Sequence, residues 1–175
     1  MKVNHIIKLK LPVFAVAFML SVMPLSWAED AATDSPEQIV RDLQDSLIHA
    51  MREGDKINFQ ERVDLLAPVI SQSHDFDLII RTVLGSNWAQ LEPEQQQLIT
   101  DTFRQLSIAT YAGQFNEYGG EHFEILQQRS LPRDQTLIRS QLTKEDSSKI
   151  DFDYVLYQGG EVGTLSISWL MVSVI

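Results

Sequence analysis

Apolar residues recur every three to four positions through the first two thirds of the chain and every second position in the last third, so the pattern predicts helices followed by strands. The first helix opens on Ser35-Pro36-Glu37-Gln38, which offers an N-cap serine, a proline at the first helical position and a glutamine at the capping-box position. Ile39, Leu43, Leu47 and Met51 follow with Val40 and Ile48 alongside, and Gly54 is placed to end the helix. Asn58 caps a second helix, with Glu61 three residues on and Val63, Leu66 and Ile70 on one side; Pro68 is expected to bend or shorten it. The stretch "SHDFDLIIRTVLG" gives a short third helix with Phe76, Ile79, Ile80, Val83 and Leu84 on one stripe, Asp75 as cap, Asp77 in the first turn and Gly85 as stop. A fourth and longest helix is predicted from Pro93 to Tyr118, with Ile99, Phe103, Leu106 and Thr110 on one face.

After Gly119-Gly120 the period becomes two. "EHFEILQQ", "TLIRSQLT" and "KIDFDYVLY" read as strands, separated by the turn-forming stretches "LPRD" and "KEDSS". In the last strand Ile150, Phe152, Tyr154 and Leu156 alternate with Asp151, Asp153, Val155 and Tyr157. Helices followed by strands define an α+β fold, with an N-terminal helical layer on an antiparallel sheet. Such a layer and sheet either close on a dry core or gape around an apolar ligand, and periodicity does not separate the two.

The first 28 residues stand apart. Lys2, Lys8 and Lys10 precede the apolar run "LPVFAVAFMLSVMPL", and Ser26 and Ala28 are the small residues before a polar stretch. This is the pattern of a secretory signal cut after Ala28, leaving residues 29–175 as one domain; the apolar run between Pro12 and Pro24 is short for a spanning anchor. Removing those three lysines takes the net charge from −10 to −13. So acidic a protein does not hold nucleic acid by phosphate neutralisation.

Candidate chemistry is sparse. There is no cysteine, which excludes disulfides, thiolate metal sites and a cysteine nucleophile. His49, His74 and His122 show no metal-ligand spacing, no nucleophile elbow occurs, and no metal or cofactor is expected. Asp151 and Asp153 share one face of a strand, where a pair of carboxylates can serve as acid and base; strict alternation with Ile150, Phe152 and Tyr154 instead makes them the wet face of a half-buried strand. The protein is expected not to be an enzyme.

The block "DFDLIIRTVLGSNWAQLEPEQQQLITDTFRQLSIATYAGQFNEYGGEHFEI" resembles the toluene-tolerance, or MlaC, family of periplasmic lipid carriers. The resemblance is carried by the Asp-Phe-Asp opening, Leu84-Gly85 followed by Trp88, the helix start from Leu91 to Gln96, Phe103, Thr110-Tyr111-Ala112 and the junction from Tyr118 to Glu121, and it covers residues 36–160. "LSIATYAGQF" is similar to the hopanoid-associated HpnM-like branch. The resemblance implies a helical layer over a curved antiparallel sheet, enclosing an apolar cavity that takes the acyl chains of a phospholipid or hopanoid-like lipid. It implies a monomeric periplasmic shuttle between an inner-membrane ABC transporter with an MCE-type subunit and an outer-membrane lipoprotein complex, supporting outer-membrane lipid asymmetry and solvent tolerance. With the helix stripes and strand alternation, it gives as lipid-lining residues Phe76, Ile79, Val83, Phe103, Leu106, Tyr111, Phe123, Ile125, Ile138, Leu142, Phe152, Tyr154 and Leu156.

Members of that family usually close with a segment of the form W-x8-G-V-S and a C-terminal helix, which this chain lacks. Read two bases later from Val162, the codons of "VGTLSISWLMVSVI" allow such a segment, so a frameshift near Val162 is expected, with a genuine buried last strand as the alternative. Two rival classes stay open. One is a small NTF2-like enzyme using Asp151 and Asp153 or His122 as base on an apolar substrate, which requires a buried carboxylate facing the cavity. The other is a module acting only through protein partners, which requires a filled core.

Overall fold

A computed structural model describes residues 35–158 and 165–174, with side chains described through Tyr157. The expected signal and the Val162 junction therefore lie outside the described residues. Helix α1 spans Pro36–Arg52, α2 Phe59–Ser73, α3 Phe76–Leu84 and α4 Pro93–Gln114, with a 3₁₀ segment at Gly85–Gln90 before α4. Strands β1 (His122–Leu131), β2 (Gln135–Thr143), β3 (Lys149–Gln158) and β4 (Leu165–Val174) form one antiparallel sheet in sequence order. The predicted α+β class, helices first and antiparallel strands after, is the observed one.

The helix starts are set by local chemistry. Ser35 accepts from the Gln38 amide at 3.2 Å, and Asp75 from the Leu78 amide at 2.8 Å. Asn58 and Glu61 form a reciprocal capping box, the Asn58 side chain accepting at 3.1 Å and the Glu61 carboxylate at 2.8 Å. Pro68 does not end α2, which continues to Ser73. Helix α4 is shorter than predicted, closing at Phe115, whose amide donates back to the Tyr111 carbonyl. Residues 116–121 then form the connection to β1.

Its stripe is also turned from the predicted one. The buried residues of α4 are Thr100, Ile108, Tyr111 and Ala112, followed by Phe115 at its cap, with Phe103 half-buried. Leu106 and Thr110 lie roughly 140–180° away around the helix, on the outer side.

Strand register sorts the sheet into two faces. Ile138 opposes Tyr154, Ser140 opposes Phe152, and Leu142 sits between Phe123 and Ile150. These residues, with Leu156, form the face covered by the helices, on which Ile138, Ser140, Leu142, Phe152, Tyr154 and Leu156 are buried. The other face carries Arg139, Gln141, Asp151 and Asp153, as alternation requires. β1 carries a bulge at Leu126 that ends its half-buried alternation; Leu126 is exposed. β4 pairs with β3 from Ile150–Val174 to Gln158–Leu165. Helix α1 lies over β1, β2 and β4, while α2 and α3 reach β4 and pack on α4.

Candidate functional site

The centre of the molecule is an apolar layer between the helices and the inner sheet face. Val40, Leu43, Leu47 and Met51 enter it from α1, Leu66 and Ile70 from α2, Phe76 from α3, and Ile108, Tyr111 and Phe115 from α4 and its cap. Each follows from helical spacing, because residues three and four apart share a face. From below come Ile138, Leu142, Phe152, Tyr154 and Leu156, with Phe123, Ile125 and Ile150 packed at the margin.

An aromatic band runs through this layer. Phe103 meets Phe76 at 6.0 Å between ring centroids, Phe76 stacks on His74 at 5.6 Å, and His74 meets Tyr111 edge-on at 5.8 Å. The band continues from Tyr111 to Phe115 at 6.0 Å, Phe123 at 6.4 Å, Phe152 at 5.5 Å and Tyr154 at 6.3 Å. Ring contacts at these separations each add about 0.5–1.5 kcal/mol beyond their buried area. The band thus joins all three components, α3, α4 and the sheet.

Two polar clusters sit within the apolar surroundings, and neither was legible as a site in the sequence. Gln44 of α1 donates its side-chain amide to Ser140 Oγ at 2.7 Å and to Tyr154 Oη at 3.3 Å, fastening α1 to the middle of the sheet. In the second, His74 places Nδ1 3.1 Å from the Ile70 carbonyl and 2.9 Å from Ser73 Oγ, while Nε2 lies 3.3 Å from Tyr111 Oη. Burial holds the His74 imidazole neutral, its pKa lowered to about 4, only partly opposed by the Ile70 hydrogen bond. Burial likewise pushes the Tyr111 and Tyr154 phenols well above their ordinary range. Both stay neutral hydrogen-bonding groups. Asp75 takes a second role beside capping, accepting a short hydrogen bond from Tyr157 Oη.

The expected lining residues divide in three. Phe76, Ile79, Tyr111, Ile138, Leu142, Phe152, Tyr154 and Leu156 are buried, and Phe103, Phe123 and Ile125 are half-buried against the core. Val83 and Leu106 lie outside the layer, 59% and 61% exposed. Leu106 falls off the buried stripe of α4, and Val83 is in the last turn of α3, where Arg81 and Thr82 are exposed too. The structure thus corrects both placements.

The groups an enzyme would need are elsewhere. Asp153 accepts two hydrogen bonds from the Arg139 guanidinium, at 2.7 and 2.6 Å, on the outer sheet face, and this pairing lowers its pKa. Asp151 accepts from Gln141 at 2.8 Å on the same face, and His122 is exposed at the start of β1. No cluster of three metal-ligating side chains occurs among the described residues, and none of their helices is long and apolar enough to cross a membrane.

Four helices over one face of an antiparallel sheet, enclosing an aromatic and aliphatic interior with no assembled acid–base pair among the described residues, define an α+β domain built around an apolar layer. A family model described as MlaC protein matches residues 41–174, and the chain belongs to that family. No curated protein matches it in sequence. Among solved structures it is similar to the phospholipid-binding protein from Ralstonia solanacearum, solved in complex with a phospholipid. That likeness has a TM-score of 0.65 at 23% identity and covers 77% of this chain and 76% of the other, which makes it a likeness of fold.

Proposed function

We propose that this protein is a periplasmic lipid carrier that takes the acyl chains of a phospholipid between its helical layer and its sheet, leaving the polar head at the surface. The carrying observation is the apolar and aromatic layer between helices and sheet in a chain of the MlaC family. The phospholipid bound to the similarly folded Ralstonia protein supports it. Acyl burial supplies affinity at about 0.8 kcal/mol per methylene, so chain length rather than a specific polar contact dominates binding. Phe76 and Tyr111 from the helices and Phe123, Ile138, Phe152 and Tyr154 from the inner sheet face are the lining residues in this reading, because they meet in the layer.

The carrier moves its lipid between an inner-membrane MCE-type transporter and an outer-membrane lipoprotein complex, in support of outer-membrane asymmetry and solvent tolerance. It does so without catalysis, since Asp151, Asp153 and His122 lie away from the layer. Native mass spectrometry of protein purified from a periplasmic extract, with organic extraction of the bound species, tests the reading. A stoichiometric phospholipid adduct is expected. A hopanoid-like adduct keeps the carrier and changes its cargo to that of the HpnM-like branch, whereas folded protein without any lipid overturns the proposal.

A further inference from the structure

A cavity of about 380 Å³ lies where the end of α1 meets the connection between α4 and β1, lined by Met51, Arg52, Asp55, Lys56, Glu117 and Tyr118. Its size falls within the usual range of small-ligand pockets, roughly 300–1,000 Å³. The charges in it are unevenly spent. Lys56 is paired with Glu53 at 3.0 Å. Arg52 donates to Tyr118 Oη at 3.3 Å and lies over the Tyr118 ring, 4.9 Å from its centroid, but meets no carboxylate among the described residues. Asp55 and Glu117 form no ion pair or side-chain hydrogen bond among the described residues. Two cations and two anions therefore line the concavity, and of these Arg52, Asp55 and Glu117 form no ion pair among the described residues.

The walls are held from behind. A Cβ at Gly54 would overlap the Asn116 carbonyl, so the turn after α1 and the chain leaving α4 touch backbone to backbone. Behind them Arg62, only 7% exposed, donates to the Gly54 carbonyl at 2.9 Å and the Ala112 carbonyl at 3.4 Å. Among the described residues it has no acidic partner, and it is used on the backbone of the two segments that meet at the pocket. A pocket fixed in this way loses little entropy when it is filled. Met51, 6% exposed, belongs both to its lining and to the central apolar layer.

We propose that this pocket binds a zwitterion of the phosphoethanolamine kind, with the phosphate on Arg52 and the ammonium held by Asp55 and Glu117 beside the Tyr118 ring. The group is either the head of a carried phospholipid or a free zwitterionic metabolite. Its lipid form rests on the function proposed above; the pocket itself does not.

The test is an NMR titration of delipidated protein with three soluble probes: glycerophosphoethanolamine, glycerophosphoglycerol, which lacks the ammonium, and ethanolamine, which lacks the phosphate. Glycerophosphoethanolamine is expected to shift the Arg52, Glu117 and Tyr118 signals and to bind roughly tenfold more tightly than either partial probe. Arg52→Gln and Glu117→Gln are expected to erase that advantage, and Tyr118→Phe to reduce it; Arg52 and Glu117 are exposed, and circular dichroism verifies each fold. Equal binding of the two glycerophosphodiesters, or no shift at Tyr118, overturns the site. Loading from vesicles of equal phosphatidylethanolamine and phosphatidylglycerol then assigns the source. Enrichment of the ethanolamine lipid that is lost in Arg52→Gln marks a head-group subsite, and equal uptake marks a site for free zwitterions. Probe binding without uptake of either lipid leaves the pocket standing and removes the carrier reading.

Discussion

His74 is the residue whose burial has the clearest consequence in solution. Its folded pKa of about 4 lies below the ordinary histidine value of 6.5, so between those values the unfolded chain binds a proton that the folded chain does not. Stability is therefore fully present above about pH 6.5 and is lost as pH falls toward 4, by about 3 kcal/mol for a shift of this size. Urea unfolding at pH 7 and at pH 4.5 should show that loss, and His74→Phe should flatten the profile in this window even if it lowers the plateau. A wild-type profile that is level across it would contradict the neutral buried imidazole. Asp153 makes the opposite case. Because its carboxylate is spent on Arg139 outside the layer, Asp153→Asn should leave lipid loading unchanged, whereas the NTF2-like reading requires loss of activity. Only one of the two assignments was open to the sequence alone: the outward side of Asp153 was legible from strict alternation, whereas His74 has no periodic signature at the end of α2.

At the level of elements, the sequence set out starts better than ends. Ser35, Asn58 and Asp75 cap their helices as their side-chain chemistry demands, since each satisfies an amide that the helix leaves free. Helix α4 was overrun because Asn116, Glu117 and Tyr118 are compatible with a helix, and it is the approach of Asn116 to Gly54, a distant partner, that accompanies the turn away. The half-buried alternation of β1 also fails beyond Leu126, because a bulge shifts which residue faces inward and leaves no trace in hydropathy. The Gln44 cluster was hidden for a related reason: a glutamine on the apolar side of α1 gains its partners only when α1 crosses β2 and β3. Gln44→Leu should cost about 1–3 kcal/mol in chemical denaturation, because Ser140 and Tyr154 lose their buried donor. Adding Ser140→Ala and Tyr154→Phe should recover part of that loss, since groups with nothing to satisfy no longer pull on the core. An undiminished penalty in the triple variant would show that shape, not hydrogen bonding, sets the fit of α1 on the sheet.

Across the whole molecule, the apolar layer has to serve two ends that pull against each other. A fold with four helices on one sheet face is stabilised by filling the space between them, yet a carrier must leave that space available to acyl chains. The aromatic band offers a physical compromise, because its Phe76–Phe103 and Phe115–Phe123–Phe152 contacts carry no polar group and can part without breaking a hydrogen bond. If ligand and core compete for the same surfaces, ligand binding must raise the folding stability, by about 2.7 kcal/mol when free lipid stands at a hundred times its dissociation constant. For a domain of this size that is a rise in melting temperature of roughly 5–10 °C. Protein stripped of lipid should therefore melt lower than protein as purified and recover on reloading. Phe152→Ala, which opens the band between Phe123 and Tyr154, should lower the melting temperature of both forms and narrow the gap between them, because it removes a surface that the acyl chain also uses. A Phe152→Ala variant whose lipid-dependent gap matched that of the wild type would place the lipid outside the layer and leave the aromatic band as core alone, since binding anywhere on the folded chain raises the melting temperature.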